Sequence, residues 1–411
     1  MTEKNAVPQI RFSGFEDAWE QRKLGDIAEI VGGGTPSTSN PAYWDGDIDW
    51  YAPAEMEGKR YATSSVKKIT ELGLQKSSAK VLPAERTVLF TSRAGIGKMA
   101  ILKRPGATNQ GFQSLVMGDS FNPYFIYSMG EEIKSKAEGV ASGSTFLEIS
   151  GKMLGNIEIS VPSKQEQDAI AEYFERLDDL ITLHQRKYDK LTKVKKSMLE
   201  KMFPKNGSNV PEVRFAGFTD AWEQRKLSKM CSNFEYGLNA AAREFDGTNK
   251  YIRITDINDD SRAFSTADLT SPDICLDGMT RYLLSNGDIV FARTGASVGK
   301  TYIYKENDGI VYFAGFLIRA KVTQENDAEF VFQNTLTSNY EKYIRITSQR
   351  SGQPGVNAQE YGEYEFLAPS KEEQVKIGKY LRELDDLITL HQRKLEKLKN
   401  IKKACLEKMF V

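Results

Sequence analysis

The chain has 411 residues, with 56 Lys and Arg against 56 Asp and Glu, and so a formal net charge of zero. Its length suits two to four domains of roughly 100–200 residues each, and its 40% hydrophobic and 27% charged content excludes a disordered or fibrous chain. No stretch approaches the ~20 consecutive apolar residues of a membrane span, the opening MTEKNAVPQIRF lacks an apolar signal core, and three scattered cysteines (Cys231, Cys275, Cys405) suit neither a disulfide framework nor a zinc cluster, so a cytoplasmic protein is expected.

In chain order, the first segment is VPQIRFSGFEDAWEQRKL at residues 7–24, written again as VPEVRFAGFTDAWEQRKL at residues 210–227, an offset of 203. Repetition of this kind sets the architecture before any single motif does. Behind the first copy comes a middle segment opening on GGGTPSTSNPAYWDGDIDWYAP and carrying short apolar runs such as RTVLFTSR, which reads as a buried strand entering a Gly-rich turn. Pro162 then opens PSKQEQDAIAEYFERLDDLITLHQRKYDKLTKVKKSMLEKMF, in which Leu177, Ile181, His184, Tyr188, Leu191, Val194, Met198 and Met202 recur at spacings of three and four. That period predicts a long helix with an apolar seam, ended by Pro204 and KNGSN.

The second head is followed by a second middle, with GDIVFART as the matching strand and FARTGASVGK (residues 291–300) facing FTSRAGIGK (residues 90–98). From Pro369 the helical segment recurs at an offset of 207, with Leu384, Ile388, His391, Leu395, Leu398, Ile401, Cys405 and Met409 as its seam. A helix of about 40 residues is roughly 60 Å long. It is too long to bury its seam on one small domain, so the two helices are expected to pair with each other. Leu180, Leu183, Leu199 and Phe203, with Leu387, Leu390, Leu406 and Phe410, lie off the stripe. They suggest a further helical partner, as in a four-helix bundle, although a wide core stripe accounts for them equally.

Near-identical ends with divergent middles imply a common frame carrying two versions of one task. The expected fold class is α+β: two mixed α/β domains separated by two long antiparallel coiled-coil helices, in a pseudo-two-fold internal repeat. The expected boundaries are 1–161 for the first head and middle, 162–205 for the central helical region, 206–368 for linker, second head and middle, and 369–411 for the C-terminal helical region.

Catalytic motifs fail on inspection. GASVGKT at residues 295–301 has three residues, not the four of a P-loop, between its glycine and Gly-Lys-Thr. The matching AGIGKM has no hydroxyl after its lysine. GGGTPSTS at residues 32–39 has Pro36 and Ser37 where the third glycine of a dinucleotide fingerprint should stand, and NPYF at residues 122–125 reads as a structural turn. Pro272-Asp273 lacks the downstream acidic and lysine residues of a nuclease centre. His184 and His391, the chain's two histidines, share the context LITLHQRK and sit on the seams, where a polar residue fixes register more readily than it performs chemistry. No metal site is expected, and no catalytic residue.

The head F-x-G-F-x-x-x-W-E-Q-R-K-L written twice, the GGGTPSTSNPAYWDGDIDWYAP opening, NQGFQSL at residues 109–115 and the P-S-K-x-E-Q start of each helix together resemble the DNA specificity subunit of type I restriction–modification systems, over essentially the whole chain. The resemblance implies two target-recognition domains, here roughly 18–161 and 221–368. It also implies partners: double-stranded DNA, two methyltransferase (modification) subunits and two restriction subunits, with no membrane. S-adenosylmethionine, ATP and Mg would belong to those partners, leaving this subunit without cofactor or catalysis.

Base-edge and phosphate contacts call for Arg, Lys, Asn, Gln, Ser and Thr on loops. The DNA-binding candidates are Thr35, Ser37, Thr38, Arg93, Lys98, Gln110, Gln113, Ser142, Ser144 and Thr145 in the first reader. In the second they are Arg243, Arg253, Arg293, Lys300, Arg350, Gln353 and Asn357. Two readings compete with a non-catalytic DNA reader: an autonomous DNA-modifying enzyme, and a coiled-coil scaffold that never touches DNA. The zero net charge hides a pattern, since residues 185–205 hold eight basic against two acidic side chains and residues 392–411 hold seven against two. The remainder is acidic, so weak DNA binding by the isolated chain is expected.

Overall fold

The computed structural model describes residues 7–93, 95–142, 147–205, 207–350 and 352–410. The chain folds into two compact units, one taking the residues up to Leu183 together with those from Leu395 onward, the other being His184–Lys394.

In the first unit the head strand Glu20–Lys23 pairs antiparallel with Glu158–Val161, closing the two ends of the middle segment on each other. Between them lies a five-stranded sheet in the order Ala28–Gly32, Gln113–Met117, Thr87–Phe90, Met99–Leu102, Tyr61–Ala62. A three-stranded sheet sets Trp44–Tyr51 between Lys67–Ile69 and Gly106–Thr108. The strand expected in RTVLFTSR is Thr87–Phe90, central in its sheet and buried at every position. Burial on both faces is why it reads as an unbroken apolar run rather than an alternating one.

The second unit repeats the closure, with Glu223–Lys226 antiparallel to Glu365–Ala368. Its main sheet has the order Cys231–Tyr236, Leu317–Val322, Ile289–Ala292, Thr301–Ile303, and the expected strand of GDIVFART is the fully buried Ile289–Ala292. Two smaller pairs complete it: Ala242–Glu244 with Thr270–Pro272, and Lys250–Ile252 parallel to Val311–Phe313.

The periodic segments are the helices Lys164–Lys201 and Lys371–Met409. Each is shared between the units. Head and helix start lock together through an arginine fork: Arg11 donates from Nε and Nη2 to the two carboxylate oxygens of Glu166, each at 2.7 Å, and from Nη2 to the Asp17 carbonyl at 2.6 Å. Arg214 makes the same bonds to Glu373, at 2.7 and 2.8 Å, and to the Asp220 carbonyl at 2.7 Å. The next residue of the P-S-K-x-E-Q motif turns back on the helix start. Gln167 donates to the Pro162 carbonyl at 3.0 Å and accepts from the Asn122 N–H; Gln374 donates to the Pro369 carbonyl at 2.9 Å and accepts from the Asp327 N–H. Asn122, of NPYF, caps the helix Pro123–Ser128 by accepting from the Tyr124 and Phe125 N–H groups.

Each head is closed by the far end of a long helix. The Ile10 N–H donates to the Lys408 carbonyl at 3.0 Å, and the Val213 N–H to the Lys201 carbonyl at 2.9 Å. Phe410 packs against Trp19, Phe125 and Phe174, and Phe203 against Trp222 and Phe330. This corrects the grouping of the off-stripe residues: Phe203 and Phe410 plug the cores of their units, and Leu199 and Leu406 pack against the same clusters. Leu180, Leu183, Leu387 and Leu390 alone of the eight are exposed.

Within each unit the helix segments run antiparallel, and their charge asymmetry fixes that direction. The acidic Asp-Asp turn of one helix meets the lysine-rich end of the other: Lys402 Nζ lies 2.6 Å from Asp178 in the first unit, and Lys195 Nζ 2.5 Å from Asp385 in the second. In the second unit His184 and His391 meet Nδ1 to Nδ1 at 2.8 Å. One ring must donate and the other accept, so the bond requires at least one neutral imidazole. Burial, then Lys394 and Lys187, hold His184 below the ordinary histidine range; burial and the neighbouring His184 do the same for His391.

Candidate nucleic-acid interface

Corresponding loops meet in both units, and their backbone hydrogen bonds identify equivalent positions that the sequences do not. In the first unit Gly34 N–H donates to the Thr108 carbonyl (2.9 Å), Ser92 N–H to Gly111 (2.8 Å) and Ile149 N–H to Ser92 (3.0 Å). In the second, Leu238 N–H donates to Phe313 (2.8 Å), Arg293 N–H to Phe316 (3.0 Å) and Val356 N–H to Arg293 (2.9 Å). Both frames need one glycine for the same reason. A Cβ on Gly33 would lie 1.9 Å from the Asn109 carbonyl oxygen, and one on Gly237 would lie 2.2 Å from that of Ala314. Close backbone approach, rather than a dinucleotide cradle, explains the GGG run.

The first-unit candidates divide by what they touch. Thr35 donates to Gln110, joining two of the loops, and Ser37 bonds Ser39 at 2.9 Å. Thr38 and Gln110 are exposed; Gln113 lies half-buried on its strand, beside Gly32 and Gly151. Arg93 is half-buried, and Lys98 pairs with Glu57. Ser142 is exposed and bridges Glu148, bringing its loop towards the frame through Ile149, while Ser144 and Thr145 lie outside the described residues.

In the second unit several candidates already have structural partners. Arg253 donates to both oxygens of Asp256 at 2.9 Å, and Arg243 pairs with Asp246 at 3.6 Å. Lys300 pairs with Asp259, and its GASVGK loop is a tight turn after the Ile289–Ala292 strand. Arg350 donates to the Thr347 and Gln349 carbonyls and to Glu360. Asn357 caps the helix Ala358–Gly362, accepting from the Glu360 N–H at 2.9 Å. Gln353 is exposed beside the Gly295 to Pro354 backbone bond.

Arg253 and Arg293 come together on one cleft of about 570 Å³, lined also by Tyr236, Asn239, Thr255 and Phe316. The Arg293 guanidinium lies over the Tyr236 ring, 4.9 Å from its centroid. Tyr236 and Phe316 were not singled out from the sequence, because aromatic residues in a strand end and a turn read as core. Among the described residues no group of three or more His, Cys, Asp or Glu is placed to hold a metal ion, and no helix is long and apolar enough to cross a membrane.

A fold of two equivalent units, each carrying the same loop frame, defines an internally duplicated class of protein. The chain belongs to the family described as type I restriction modification DNA specificity domain, whose model matches residues 16–193 and 219–400, once per repeat. It is 34% identical over 248 residues to the type I restriction enzyme MjaIX specificity subunit of Methanocaldococcus jannaschii, covering 57% of this chain and 56% of that one. It is 30% identical over 179 residues to the EcoR124I/EcoR124II specificity subunit of Escherichia coli, covering 42% and 43%. These matches span about half the length of each relative. The crystal structure of the S subunit from M. genitalium has the same fold, with a TM-score of 0.63 at 17% identity over 98% of this chain and 99% of that one.

Proposed function

We propose that this chain is a non-catalytic DNA-reading subunit that recognises an asymmetric bipartite target, two half-sites with an unread spacer, and carries methyltransferase and restriction subunits. The observation that supports it best is the loop frame itself. One backbone arrangement occurs twice and presents different side chains at equivalent positions, as two readers of two different half-sites require. Recognition domains at roughly 18–161 and 221–368 would each supply one reader.

Among the candidates, the exposed or uncommitted side chains (Thr38, Arg93, Gln110, Ser142, Arg293, Gln353) suit base or phosphate contact best. Those already serving as caps or ion pairs suit the positioning of loops. The exposed pairs Leu180 with Leu183 and Leu387 with Leu390 offer each unit an apolar face to a methyltransferase helix. S-adenosylmethionine, ATP and Mg would act on the partner subunits.

The test is single-molecule mapping of methylation on DNA modified by this chain with its methyltransferase partners. An asymmetric bipartite motif with a fixed spacer is expected. A single contiguous motif, or methylation or cleavage by the chain alone, would overturn the reading.

A further inference from the structure

We propose that Phe316 presses against the base stack of the DNA half-site read by the second unit, flanked by Tyr236 and Arg293, so that this half-site is distorted on binding. At the equivalent positions the first unit carries Gly111, Gly32 and Ser92. The inference rests on the DNA-reading function proposed above and assigns one side chain a role within it.

Phe316 leaves 59% of its surface exposed on a tight turn, with its backbone anchored by the Arg293 N–H. A phenylalanine held that far out of a well-formed core does no packing that would account for it, and the ring is presented on a rigid base. Its equivalent in the first unit is Gly111, whose backbone makes the same bond to Ser92, so the frame itself does not call for a side chain here. The neighbours change in concert. Arg293 stands where the first unit has Ser92, and the half-exposed Tyr236 precedes the obligatory Gly237 as Gly32 precedes Gly33. Three small residues in one reader are thus an arginine and two aromatic rings in the other, gathered on one cleft.

The charges on this face point to nucleic acid as the occupant. Arg253, on the same cleft, pairs with Asp256, and Arg243, Lys300 and Arg350 pair with carboxylates elsewhere in the second unit. Among the described residues no carboxylate pairs with Arg293, whose guanidinium rests on the Tyr236 ring. An uncompensated cation sharing a cleft with two exposed rings is complementary to a phosphate beside stacked bases: aromatic faces bind base faces, and apolar side chains driven into a base step open it.

The experiment uses the chain assembled with its methyltransferase subunits. Wild type, Phe316→Ala and Phe316→Trp are compared by methylation mapping and by the fluorescence of 2-aminopurine placed along the second half-site, away from the methylated adenines. Wild type should brighten the probe at one base step. Phe316→Ala should abolish that signal, slow methylation about tenfold and relax the second half-site only, while Phe316→Trp restores all three readouts. Phe316→Ala with wild-type rate, motif and fluorescence would overturn the proposal and leave the DNA-reading function standing. Loss of assembly with the methyltransferase subunits by Phe316→Ala would also overturn it, by making this a protein contact. Absence of any bipartite methylation by the wild-type complex would instead overturn the function itself.

Discussion

Arg11 and Arg214 show how much of the frame hangs on single side chains. The side chains of Arg11 and Glu166 are 11% and 2% exposed, so removal of the guanidinium strands a buried carboxylate. Arg11→Ala should therefore lower the stability of the intact chain by about 3–5 kcal/mol, read as a shift of the urea midpoint. Arg11→Lys should recover only part of that, because an ammonium cannot bridge both carboxylate oxygens and the Asp17 carbonyl as the fork does. Both partners stand in motifs visible in the sequence, but their pairing across 155 positions is not, since nothing local to either residue names the other. The site candidates were legible to a similar degree. The residue types that bind DNA also cap helices and brace turns, and only the partners of Asn357, Arg350 and Lys300 separate the two uses.

At the scale of elements, the helices were the most legible part, because a period of three and four is written in side chains alone. Their ends were less so. The period runs on to Met202 and Met409, although both are buried in a core cluster there, beside the off-stripe Phe203 and Phe410. Phe203 is 4% exposed, and Phe203→Ala should cost about 3–5 kcal/mol and lower the thermal midpoint.

The sheets resisted alignment for a reason seen at one register. Arg319, buried and paired with Glu235 and Asp288, occupies the place of Ser114, which pairs with Val31. An ionic cluster and an uncharged one fill equivalent strands, so hydropathy cannot match them.

The histidine pair gives the helices a pH dependence. An unfolded histidine titrates near about 6.5, and both folded rings are held lower, so the unfolded chain binds more protons as the pH falls through that value. The contribution of the pair should be complete above about pH 6.5 and decline below it. Urea midpoints at acid and neutral pH should show this slope, and the double variant His184→Gln, His391→Gln should flatten it.

For the whole molecule, duplication was legible from its near-identical ends, whereas the crosswise use of the helices was not. Offsets of 203 and 207 say that a unit is repeated, and the contacts add that each compact body borrows from both long helices. Exchange of residues 18–161 for another reader should change one half-site only, checked by methylation mapping. Lengthening either helix by four residues should alter the spacer and leave both half-sites intact, by the same assay.

The arginine fork joins a head to the start of its own helix, but the phenylalanine plug comes from the other helix's end. That division makes folding a question of molecularity. In the intact chain the plug arrives by a first-order closure at an effective concentration that dilution cannot change. A fragment ending after residue 206 carries a head without its plug and a plug without its head. It can satisfy both only with a second copy of itself, and its unfolding midpoint should then rise with protein concentration while that of the full chain stays constant.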